Sequence, residues 1–237
     1  MKETFEVRSE SDGAISLYIY GDIRKEKTRW DEERGSEIVA PKVIREALAE
    51  AGNKDVNVYI NSGGGQVFAG QAIASLLSRH SGRTIAHIDG LCASIATMIA
   101  LACDEVYMSN GASWMYHQAW GGLFNLGKAD EIVAQAEEYA ESLRSLNKSM
   151  KIVYKSRMAE GGDWSKVEAN FDSGKDTWLT VDEAVETFNI KKNSNKKAEA
   201  FAASEYIEVP EALQKNSAQE EVSKNKKDWS SKYMFDF

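Results

Sequence analysis

Apolar and polar residues alternate along Ala14–Ile23 and again along Val56–Asn61, the two-residue period of a strand with one buried face. Gln66–Arg79 switches to a helical period, and Arg83–Ile88 is a short, largely apolar run suited to a buried strand that Gly90 breaks. Ala93–Ala102 is built of small and apolar residues, as a buried helix requires. Glu105–Met108 and Ser113–Gln118 read as further strands. Between the first two strands, the charged stretch Arg24–Ser36 reads as a loop with Trp30 as its anchor. A helix over Val43–Ala51 follows, with Pro41 limiting its start. Downstream, Ile132, Val133, Ala136, Tyr139, Ala140, Leu143, Leu146 and Met150 form one stripe of a long helix over Asp130–Ala159. Thr180 and Glu183 make a capping box opening a helix over Thr180–Phe188. Strands alternating with helices define an α/β fold rich in parallel pairing.

The 237 residues, 43% of them hydrophobic, suffice for one substantial core. The pattern divides them into a loose start (1–13), a core domain (14–190) and a mostly flexible C-terminal tail (191–237) rich in Lys, Asn, Ser and Glu. A net charge of −8 without a long basic cluster argues against nucleic acid as a partner. No apolar run approaches the ~20 residues of a membrane span, and the opening MKETFEVRSESDG lacks the apolar core of a signal peptide. Two cysteines, Cys92 and Cys103, are too few for a disulfide framework, which points to a reducing cytoplasm.

The chemistry concentrates around Ser94, where strand, turn and helix meet. A serine at a helix start is most often an N-cap; it is also where a nucleophile meets unpaired N–H groups and the positive end of a helix dipole. Upstream, Gly63-Gly64-Gly65 closes the Val56 strand. Its spacing is neither a dinucleotide fingerprint nor a P-loop, but it can turn a backbone N–H toward an anion. With the Ile95 N–H, that would make an oxyanion hole. Downstream, His117 sits at a strand end before Gly121-Gly122, and histidine is the usual base for activating serine. Of the other two histidines, His80 suits a helix C-terminus and His87 a satisfied position on a sheet face.

In this order and spacing, INSGGGQVFAGQAI, GLCASIATMIA and MYHQ resemble the ClpP family, the proteolytic subunit of the Clp protease, from about Leu17 to Ile190. LYIYGDI, the tryptophan shortly after it and VFAG are similar to the branch of phage head maturation proteases. The resemblance implies a ClpP/crotonase-like spiral of ββα units, with Asp130–Ala159 as a handle helix through which rings stack. It implies Ser94 as nucleophile, His117 as general base and Asp176 as third member, with Asp172 its rival four residues earlier. Gly65 and Ile95 would donate to the oxyanion, and Gly64, Gly121, Gly122 and Leu123 would line the substrate groove. Gly63, Ile95 and Ala119 depart from the family's proline, methionine and proline, which touches loop rigidity and pocket rather than the chemical groups.

The resulting expectation is an ATP-independent serine endopeptidase, needing no cofactor and no metal. It would cut scaffold and capsid-protein segments in an assembling phage prohead in the host cytoplasm, as a heptameric ring or stacked tetradecamer. The alternatives are a housekeeping ClpP fed by an ATPase ring, an acyl-CoA enzyme of the same fold, and a non-catalytic assembly protein.

Overall fold

The computed structural model describes residues 7–9 and 14–193, so the tail expected over 191–237 lies outside the described residues beyond Asn193, as does most of 1–13. The central element is a nine-stranded sheet. Its strands are β1 (Val7–Ser9), β2 (Ile15–Ile23), β3 (Ile38–Val39), β4 (Val56–Gly65), β5 (Thr84–Ala93), β6 (Glu105–Met108), β7 (Ser113–Tyr116), β8 (Thr177–Leu179) and β9 (Lys191–Lys192). The main path runs β1-β2-β4-β5-β6-β9, with β3 beside β2 and the pair β7-β8 branching from β5. Pairing is parallel except for β1–β2 and β7–β8. The inward residues Leu17, Ile19, Val58, Ile60, Ala86 and Ile88 are buried and form one core with the helices.

Among the described residues, seven helices complete the fold: α1 (Arg29–Arg34), α2 (Pro41–Ala51), α3 (Val67–Ser78), α4 (Ile95–Ala102), α5 (Ala129–Ser156), α6 (Trp164–Asp172) and α7 (Val181–Thr187). α4 is buried from Ile95 to Leu101, as its apolar sequence requires. α3 packs closely on it because Gly70 has no side chain: a Cβ there would collide with the Ile95 side chain. Pro41 occupies the first turn of α2, where its missing N–H costs nothing. Thr180 and Glu183 form the expected capping box on α7.

Three expectations are corrected. Gly90 does not end its strand: β5 continues to Ala93, pairing with β6 over Ile85–Ile88 and with β7 over Leu91–Ala93. The Asn61 side chain accepts from the Leu91 N–H at 3.0 Å and occupies the space a Cβ at Gly90 would need, so the glycine permits a change of partner. Arg24–Ser36 is not all loop, because Thr28 and Asp31 cap α1 reciprocally, and the Thr28 hydrogen bonds hold the Asp31 carboxyl below its usual range. Trp30, expected as an anchor, is 69% exposed.

α5 is 28 residues long, yet only Met150 and Tyr154 are buried, so its N-terminal half is uncovered. Its charges are segregated: Asp130, Glu131, Glu137, Glu138 and Glu141 precede Arg144, Lys148, Lys151 and Lys155. Acids near the N-terminus and bases near the C-terminus match the helix dipole. Among the described residues no helix is long and apolar enough to cross a membrane.

Candidate active site

Ser94 immediately precedes α4, fixed from behind by its own N–H, which donates to the Met115 carbonyl of β7 at 2.9 Å. Its backbone is at φ 55°, the only positive φ of a non-glycine residue among the described residues. Such a conformation is costly for a side chain and signals an imposed orientation. The Ser94 side chain makes no cap hydrogen bond to the helix. It meets His117 instead, with Oγ 2.7 Å from Nε2. On the other edge of the ring, His117 Nδ1 lies 3.1 Å from Asp176 Oδ1. A carboxylate only accepts, so a proton on Nδ1 would face Asp176 and leave Nε2 to accept from the serine hydroxyl.

The three segments converge because of the branch in β5. Its last residues carry β7 alongside Ser94, and β7 delivers His117 just beyond Tyr116. β8 pairs with β7 antiparallel, Tyr116 opposite Thr177, which sets Asp176 beside His117. The rival Asp172 is engaged elsewhere: Lys151 Nζ binds its two oxygens at 3.1 and 3.0 Å.

The glycine turn abuts the serine turn. A Cβ on Gly64, at φ 101°, would come within 2.7 Å of Ser94 Cβ and 3.3 Å of the Ile95 nitrogen. The turn is pinned by buried Ser62, whose Oγ donates to the Gly21 carbonyl at 2.6 Å and accepts from the Gly64 N–H at 3.1 Å. Gln66 N–H donates to Ile23 O at 2.8 Å, which ties the end of the glycine turn to β2. Ile95 is the first residue of α4, so its N–H has no acceptor within the helix. Of the two expected oxyanion donors, Ile95 directly follows Ser94, and Gly65 ends the turn whose Gly64 abuts it. Ser62 is a residue that sequence reading passed over; its hydroxyl directly before three glycines was the available signal.

The proposed groove residues stand differently. Gly121, Gly122 and Leu123 lie in a segment without secondary structure between β7 and α5. A Cβ on Gly121 would collide with the Tyr139 hydroxyl of α5, whereas Gly122 faces open space. Next to this segment, a cavity of about 770 Å³ opens between the start of α3 and α5, lined by Val67, Phe68, Trp120, Tyr139, Leu143 and Leu146. It is mainly apolar, and Phe68 and Trp120 stand exposed at its edge.

Other titratable groups are accounted for structurally. His80 Nε2 bonds the Lys54 carbonyl at 2.8 Å, and His87 bonds Asn57 at 3.1 Å between the Tyr59 and Tyr107 rings. Cys92 and Cys103 are buried; burial pushes both thiols up, Cys103 to about 12. Among the described residues no group of His, Cys, Asp and Glu could hold a metal ion.

A serine hydrogen-bonded to a histidine, with a carboxylate 3.1 Å from the far ring nitrogen, at the end of a parallel sheet and at a helix N-terminus, is an arrangement suited to acyl transfer. A sequence model described as Clp protease matches residues 25–190, and the chain belongs to that family. The ATP-dependent Clp protease proteolytic subunits of Streptococcus pneumoniae strains 70585 and R6 are each 26% identical over 185 residues, covering 76% of this chain and 90% of theirs. A ClpP1 mutant from Listeria monocytogenes superposes with a TM-score of 0.54 at 21% identity, over 75% of this chain and 89% of its own. The fold is thus the ClpP/crotonase-like α/β fold.

Proposed function

We propose that this chain is a serine endopeptidase of the ClpP type. The observation that carries the reading is the Ser94–His117–Asp176 chain of contacts at 2.7 and 3.1 Å inside a Clp protease family domain. His117 takes the Ser94 proton as Oγ attacks a peptide carbonyl, Asp176 steadies the imidazolium, and the Gly65 and Ile95 N–H groups receive the oxyanion. The apolar cavity beside the site suits an apolar substrate side chain.

The finer reading is a phage prohead protease, acting without ATP in the host cytoplasm on scaffold and capsid-protein segments. It is supported by LYIYGDI, the early Trp30 and VFAG. A homo-oligomeric ring, heptameric or stacked as a tetradecamer, is supported by the uncovered stripe of α5. The ATP-dependent relatives favour a second reading, a subunit served by an unfoldase. One experiment addresses each level. A fluorophosphonate is expected to label Ser94 and no other serine, and labelling that persists in Ser94→Ala would sink the peptidase assignment. The purified chain is expected to cut unfolded scaffold segments with no ATPase present; cleavage only with an ATPase and ATP would favour the second reading.

A further inference from the structure

α5 presents Asn147, Lys151 and Tyr154 at spacings of four and three, one stripe of a helix. Each holds a different segment of the site. Tyr154 reaches the serine turn through Thr97, both fully buried. Thr97 Oγ1 lies 2.5 Å from the Ser94 carbonyl and 2.8 Å from the Tyr154 hydroxyl. A carbonyl only accepts, so Thr97 spends its one proton there and Tyr154 must donate to Thr97. Asn147 Oδ1 accepts the Ala119 N–H at 2.8 Å, two residues beyond His117. Lys151 Nζ grips Asp172 at 3.1 and 3.0 Å, and Glu168 at 3.2 Å, at the end of α6 and four residues before Asp176. These carboxylates, Asp172 foremost, raise the Lys151 ammonium above its usual range.

We infer that Asn147, Lys151 and Tyr154 are positioning residues that register the three catalytic segments to one helix. Serine turn, histidine strand end and aspartate loop arrive from different elements, and a mismatch of 1 Å between catalytic groups typically costs about 100-fold in rate. A common frame removes the independent motions of the three. A half-exposed ion pair such as Lys151–Asp172 contributes little to global stability. Its placement before Asp176 is better accounted for by alignment.

The inference rests on reading Ser94, His117 and Asp176 as a triad, and its test separates the two. Lys151→Met, Asn147→Leu and Tyr154→Phe are compared with the wild-type full chain in three measurements: peptide kcat and KM, melting temperature, and NMR of the chain carrying labelled histidine. With only three histidines, each ring is resolved separately. The expected result is a kcat loss of about 10-fold per variant with KM within about 2-fold. The His117 signal shifts while those of His80 and His87 hold, and Lys151→Arg restores most of the activity. The inference is overturned if the variants keep wild-type kcat and the wild-type His117 signal. It is equally overturned if losses follow melting temperature and all three signals move together. If the wild type cleaves no peptide but the His117 signal still shifts selectively, the peptidase reading fails and the positioning role stands.

Discussion

At the scale of the residue, Ser94 shows why one side chain admits two readings in sequence and one in structure. Its place at a helix start suits a cap, and nothing local excludes that. The decision comes from φ 55° and from His117 at 2.7 Å, both consequences of β7 packing against the end of β5. Strain of this kind costs about 1–3 kcal/mol. Ser94→Gly relieves it, partly offset by the greater freedom of glycine in the unfolded chain. We therefore predict that Ser94→Gly and Ser94→Ala are both inactive, with the glycine variant the more stable by about 1 kcal/mol, read by urea unfolding. An alanine variant as stable as the glycine one would mean the turn is not strained. The choice of a third member belongs to the same scale. Asp172 and Asp176 were both available in sequence, since only folding reveals that Lys151 occupies the first and His117 faces the second. Asp176→Asn is expected to lower kcat by roughly 10,000-fold through the wrong imidazole tautomer. Asp172→Asn, which only loosens the Lys151 contact, should cost about 10-fold. The opposite order in a steady-state assay would reassign the residue.

At the scale of the element, strands and helices with a strong period were legible: β2, β4, α3, α4 and α7 lie close to where the pattern puts them. What the pattern misjudged depended on contacts between distant segments. Gly90 has the composition of a break, and only the Asn61 side chain across the ladder makes it a change of partner. α1 was hidden under its charges, although Thr28 and Asp31 carry a capping signal at the right spacing. The two glycines after His117 read as a pair but differ in the fold. A Cβ at Gly121 would meet the Tyr139 hydroxyl, and Gly122 faces open space. That difference gives a clean test of whether an extended substrate pairs with 119–126 as an added strand. Proline at Gly122 removes a donor and fixes φ, and a Cβ there meets no neighbour. Gly122→Pro should therefore impair hydrolysis of an extended peptide while Ser94 still reacts with a small fluorophosphonate. Wild-type peptide cleavage by this variant would rule strand pairing out.

At the scale of the whole molecule, the apolar stripe of α5 was visible in sequence, but the direction it faces was not. A stripe on a long helix ordinarily means a core contact. Here the core ends at Met150, and Ile132 and Val133 remain 37% and 56% exposed. Trp120, Phe124 and Leu126 in the preceding segment extend the exposed apolar surface. Large exposed apolar surface is characteristic of interfaces. The charge order of α5 would suit a second copy of this chain. Two copies laid antiparallel bring the acidic half, Glu137 to Glu141, along the basic half, Arg144 to Lys155. A two-fold axis then makes each contact occur twice. The predicted outcome in sedimentation velocity is an assembly that dissociates in Val133→Asp, because burying that carboxylate is costly. The double variant Glu137→Lys with Glu138→Lys should also weaken it, by like-charge repulsion against the basic half. Adding Arg144→Glu and Lys148→Glu to the same chain should restore association, since the antiparallel pairing is then satisfied with signs exchanged. Salt should weaken the charge-dependent part, since screening acts within about 10 Å at 0.1 M. It should spare the apolar part and screen the double variant's repulsion as well, so the difference between wild type and double variant should shrink at high salt. A stable, fully active monomer across this series would overturn the antiparallel arrangement and, with it, the ring.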